Sequence, residues 1–177
     1  PLSRSGYFFG RFLGALVIST IPLLGVYFGV IIGGIIGPLA GWIDADRIGP
    51  YQLTTFVNGY ILFILPNMFI AGTIIYSMAN WFKSTTISFV GALILFVGYI
   101  LSITFTSDID NETIAALVDP FGLTAHRIDS RYFTPLEKNT LSPGFSGLLL
   151  INRLIWTGSG ILFILISYSR FSFKERN

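Results

Sequence analysis

Three stretches of this chain, Phe12–Gly37, Phe56–Ala79 and Thr86–Phe105, contain no Asp, Glu, Lys, Arg or His, and a fourth, Leu154–Ser169, is also free of charge. A helix needs about 20 mostly apolar residues to cross ~30 Å of hydrocarbon, and the first three runs meet that length. The fourth, at ~1.5 Å per residue, reaches only ~24 Å as a helix. It becomes long enough by recruiting "LLLINR" before it, with Asn152 and Arg153 at headgroup level or snorkelling toward it. The expected fold is therefore an all-α polytopic helical membrane protein with four transmembrane helices, near 12–37, 56–79, 86–105 and 148–169, forming one region over 1–177.

Composition agrees with this. Charged residues make up 11% of the 177, against roughly a quarter in soluble domains. With no cysteine, disulfides, thiol catalysis and cysteine-ligated metals are excluded. The pI near 9.1 rests on a net charge of only +2, too little to point to nucleic acid. The chain opens on Pro1 with no signal-peptide pattern ahead of its first apolar run, so it reads as a piece of a longer protein.

Basic residues give the expected orientation. Both ends and the 80–85 connection carry Arg4, Arg11, Lys83, Arg170, Lys174 and Arg176 against one acid, Glu175. The other two loops carry Arg47, Arg127, Arg131, Lys138 and Arg153 against Asp44, Asp46, Asp108, Asp110, Glu112, Asp119, Asp129 and Glu137. Both ends are expected in the cytoplasm and the longer loops outside. In the long loop, "TPLE" at 134–137 reads as a capping box with proline at the first helical position. "ETIAALVDPFGL" reads as a short amphipathic helix that stops before Pro120.

Within the first run, Gly25, Gly29, Gly33 and Gly37 recur every fourth residue. Each glycine costs about 1 kcal/mol in a helix interior. In lipid that cost is offset by close backbone approach, so the stripe is expected to pack against another helix, of this chain or of a second subunit. Pro22, and Pro66 with Asn67 in "LPNMF", mark kinks. Asn67, and Asn58 near the end of the second run, are either local hydrogen-bond partners or polar contacts on a path. The small-residue stretch "TGSG" (157–160) reads as packing, and His126 as a solvated loop side chain. Asn111–Thr113 fits a glycosylation sequon. No ionisable group sits in a span core, which argues against ion-coupled carriers and pumps. Neither HExxH, nor a nucleophile elbow, nor a GxxxxGK[ST] loop occurs. No enzymatic activity, cofactor or metal site is expected.

"PLSRSGYFFGRFLGAL" (1–16) resembles the cytoplasmic segment preceding the third membrane helix of ABC-2 type transporter permeases. "DPFGL" (119–123), "TPLEKNT" (134–140), "GLLLINRLIW" (147–156) and "YSRFSF" (168–173) resemble a bacterial subgroup of that family, often fused to a zinc aminopeptidase-like domain. The resemblance implies a six-helix permease half, here without its first two helices, in the inner (plasma) membrane. It further implies a re-entrant segment at 112–123, coupling of Ser3, Arg4, Tyr7 and Arg11 to a cytoplasmic ABC ATPase subunit, and a second permease half as partner. The basic and aromatic residues of that first segment can instead anchor to anionic headgroups. The alternative function is a non-transporting membrane anchor or scaffold for an attached extracytoplasmic, peptidase-like domain.

Overall fold

The computed structural model describes residues 3–107 and 110–172; Pro1, Leu2, Asp108, Ile109 and 173–177, with Lys174, Glu175 and Arg176, lie outside the described residues. Helix α1 (Arg4–Leu39) is followed by a 3₁₀ turn (Ala45–Arg47), α2 (Leu53–Phe82), α3 (Thr85–Ser107), three short helices and α7 (Gly147–Arg170). The short ones are α4 (Glu112–Val118), α5 (Leu123–Asp129) and α6 (Pro135–Thr140). No strand occurs among the described residues, and α1, α2, α3 and α7 are long and apolar enough to cross a membrane. The chain is an all-α polytopic membrane protein.

α2 is the central element, packed against α1, α3 and α7. α1 and α3 otherwise present large apolar side chains outward, as lipid-facing helices do: Ile18, Ile32, Phe89 and Leu93 are all exposed. At one end of the bundle, called here the basic end, Phe8, Phe12 and Ile164 are buried with Phe69, Tyr76 and Tyr168 packed around them. At the other, the hairpin end, Leu62 and Leu149 pack with Ala116 and Ala125, two fully buried alanines that let the short helices lie close to α2 and α7.

α2 is not a uniform helix. Tyr60–Ile64 form a π turn, immediately before Pro66. Proline lacks the N–H that an α turn would use and crowds the carbonyl four residues back, and the wider turn accommodates both. α1, by contrast, runs unbroken through Pro22, and the Tyr60 hydroxyl donates to the Thr20 carbonyl at 3.1 Å beside it. α1 also starts earlier than its uncharged run, at Arg4, so the basic segment at 4–11 is the first part of the membrane helix itself.

Candidate functional site

The hairpin made by α4, α5 and the turn 119–122 poses an accounting problem. Buried non-helical backbone is tolerated only where protein supplies its hydrogen bonds. Here five carbonyls of the hairpin receive side-chain donors from α2 and α7. Asn152 Nδ2 donates to the carbonyls of Ala116 (2.5 Å) and Asp119 (2.7 Å). Trp156 Nε1 donates to Leu117 (2.9 Å), Arg153 Nη2 to Pro120 (3.0 Å), and Asn67 Nδ2 to Phe121 (3.3 Å).

Asn152 and Arg153, fully buried and 4% exposed, are thus drawn into the protein. Neither side chain snorkels outward: the donors are needed inside, and the arginine's planar fork meets several acceptors at once. Arg153 Nη1 donates to Asn67 Oδ1 at 2.8 Å, Nε to Asn152 Oδ1 at 3.0 Å, and Nη2 to the same Asn152 oxygen. The opposite charge comes from Asp119, also buried. Its carboxylate accepts from the N–H groups of Phe121 (2.9 Å) and Thr124 (2.7 Å) and from the Ser102 hydroxyl (3.4 Å), tying the turn to the start of α5 and to α3. Each buried charge is hydrogen-bonded, which is the condition for holding it there. Gly122, at φ +74°, lies against the guanidinium with no room for a side chain.

Asn67 belongs to this cluster, joining the Pro66 kink of α2 to α7 and to the hairpin. Asn58 lies apart from it and donates to the Pro143 carbonyl at 3.0 Å. α4 ends at Val118, before Pro120, as its sequence predicts. Asn111 of the sequon caps α4, its side-chain oxygen accepting from the N–H groups of Thr113 (3.1 Å) and Ile114 (3.2 Å). The capping box at 134–137 is present: the Thr134 N–H and hydroxyl both donate to Glu137 Oε2, at 2.7 and 2.8 Å, and hold its carboxyl below the usual glutamate range. Arg131 pairs with Glu112 at 2.6 Å. His126 stands edge-on to Phe63, and no group of three or more metal-ligating side chains forms among the described residues.

At the basic end, Ser3 caps α1 by accepting from Gly6 N at 3.1 Å. Arg4 donates to the carbonyls of Tyr168 (2.6 Å) and Ser169 (3.1 Å), satisfying the last turn of α7. Arg11 donates to the Tyr7 hydroxyl at 2.8 Å. Arg4 and Tyr7, which stacks on Phe171, join α1 to the end of α7, while the bonds of Ser3 and Arg11 stay within α1; Ser3, Arg4 and Arg11 are exposed.

Of the glycine stripe, Gly25, Gly29 and Gly33 meet nothing in this chain, and Gly37 meets only Ile43 in the loop that follows. The stripe therefore packs against no other helix of this chain. The glycine that close packing demands is Gly34, which the stripe skips: a Cβ there would fall 1.6 Å from the Tyr51 hydroxyl, which donates to the Ile31 carbonyl at 3.2 Å. In "TGSG", Gly160 packs against Phe69.

Sequence reasoning missed Asn152, Arg153, Asp119, Trp156 and Gly122 as one cluster. The available signal was an Asn-Arg pair entering an apolar run, with Trp one turn later, in a chain whose long loop breaks an apolar helix with Asp-Pro. Compared with models of known families, with curated proteins and with solved structures, the chain matches none.

Proposed function

We propose that this chain is the transmembrane permease subunit of an ABC exporter-type transporter, energised by ATP hydrolysis in a separate nucleotide-binding partner. On this reading it lies in the plasma membrane with its basic end cytoplasmic, and the hairpin faces the far side. One observation carries the reading: "DPFGL" and "GLLLINRLIW", two of the segments on which the family resemblance rests, meet in a single buried cluster through Asp119, Pro120, Phe121, Asn152 and Arg153. Segments more than twenty residues apart that share a hydrogen-bond network act as one part, and a hairpin joined to the π turn and Pro66 of α2 is placed to follow movements of that helix. Exposed Ser3 and Arg4 face the side from which an ATPase would dock. The unfilled face at Gly25, Gly29 and Gly33 is where a second permease half would pack.

The chain has no cysteine, so Ser5→Cys provides a unique attachment point on the exposed first turn of α1. Co-expressed with a candidate ABC ATPase subunit, this variant is expected to crosslink to the ATPase and to stimulate its turnover in proteoliposomes. A crosslink-free pair whose ATPase rate ignores the membrane chain rejects the permease reading and favours the anchor.

A further inference from the structure

At the hairpin end, an open cavity of about 740 Å³ lies between α5, α6, the connection 141–146 and the starts of α2 and α7. Its walls are pinned to one another. The Thr55 hydroxyl donates to the Ser142 hydroxyl, which donates in turn to that of Thr54, both at 3.2 Å. Asn58 holds the neighbouring Pro143 carbonyl, and the Ser130 hydroxyl donates to the His126 carbonyl at 2.7 Å. The Asp129 carboxylate accepts from the N–H groups of Leu148 (3.4 Å) and Leu149 (3.1 Å), so the end of α5 caps the start of α7. A space between elements tied at this many points is preformed, and its volume is that of a small-molecule site.

The same bonds leave a one-sided remainder. Thr55, Asp129, Ser130 and Ser142 are engaged within the walls. His126, Arg127, Lys138 and Ser146 line the cavity too, and their side chains make no hydrogen bond or ion pair among the described residues. Arg47 and Arg131, at the same end of the bundle, are by contrast paired with Asp44 and Glu112. Arginine and lysine donate and cannot accept, and the imidazole and the hydroxyl each have a donor to offer. The carboxylate in the lining, Asp129, is already taken by backbone N–H groups. Phe133, Leu141 and Leu149 make the rest of the surface apolar.

Unused donors beside an apolar wall fit an oxyanion carried on an apolar body. We infer that this cavity binds a small organic anion, its charge met by Arg127 and Lys138, with His126 and Ser146 as further hydrogen-bond partners and Phe133 and Leu141 against its body. α5, α6 and the 141–146 connection do not span the membrane, which favours a water-borne ligand over a lipid headgroup. The inference requires neither an ATPase nor a second permease half.

His126 is the chain's sole histidine, so protein labelled with ¹³C-histidine and free of a histidine tag gives one assigned ring signal. In phosphatidylcholine nanodiscs at fixed pH, benzoate or phenyl phosphate is expected to shift that signal to saturation, while benzyl alcohol, the uncharged counterpart, leaves it in place. Arg127→Gln and Lys138→Gln are each expected to weaken the midpoint about fivefold. Arg127→Lys, which keeps the charge and controls for folding, should retain most of the affinity. No saturable shift with either anion, an equal response to benzyl alcohol, or midpoints unchanged in both glutamine variants overturns the proposal. The same saturating shift on adding phosphatidylglycerol to the nanodisc also overturns it, because the site would then hold a lipid headgroup.

Discussion

Gly122 and Arg153 share one space: a Cβ built on Gly122 would lie 2.5 Å from Arg153 Nη2 and 2.6 Å from Cζ, at a backbone φ of +74°. The residue that turns the hairpin and the one that anchors it are therefore fitted to each other. Gly122→Ala would be strained by its backbone and would push the guanidinium off the Pro120 carbonyl. It is expected to cost about 1–3 kcal/mol, read as a lower midpoint in thermal unfolding in detergent. An unchanged midpoint would show that the fit is loose.

Arg153 reaches Asn67, Asn152 and Pro120 because its donors lie in a fixed plane. Lysine keeps the charge but not the fork. Arg153→Lys is therefore expected to lose most of the anchoring, with about 3 kcal/mol lost when buried partners are left unmet. Hydrogen exchange at 116–124 should rise in this variant more than exchange in α3. Uniform exchange changes would argue against a local anchor.

The two kinds of glycine in α1 predict opposite results. Gly34→Ala must displace Tyr51 and break its bond to the Ile31 carbonyl, at a cost of about 1 kcal/mol. A Cβ at Gly29 or Gly33 meets nothing within the chain, and Gly29→Leu combined with Gly33→Leu should leave its own stability within about 0.5 kcal/mol of wild type. Association with the second permease half proposed above, measured by energy transfer between labelled copies or halves in nanodiscs, should be lost in the double variant. Loss of stability without loss of association would reverse the assignment of that face.

The capping box gives a pH dependence of known sign. Thr134, first through its N–H and then its hydroxyl, lowers the Glu137 pKa, so the folded form favours the carboxylate. The cap's contribution is complete above the ordinary glutamate pKa and is lost as pH falls through the lowered folded value. A ¹³C-carboxyl titration should place Glu137 below the ordinary glutamate value, and Thr134→Ala should bring it back up.

The spans were legible because each is a local property: a run without charge predicts a helix wherever it lies. The capping box and the end of α4 before Pro120 were equally local, and the structure contains both. The inward role of Asn152 and Arg153 was hidden for the opposite reason. Their own neighbourhood reads as the border of an apolar run, and the demand for their donors arises at 116–120, more than thirty residues away. Similarly, the regular spacing of Gly25, Gly29 and Gly33 drew attention while Gly34, whose need comes from Tyr51 across a loop, carried no sequence signal.

The turn at Tyr60–Ile64 holds one residue more than an α-helix would place there. Rewinding it by that residue would rotate Leu53–Gly59 about 100° around the axis and slide it ~1.5 Å. Asn58 would swing away from Pro143, while Asn67, on the far side of the turn, could keep its hold on Arg153. The surplus residue is thus a built-in step of fixed size, through which one end of the central helix could change its facing while the other stays seated.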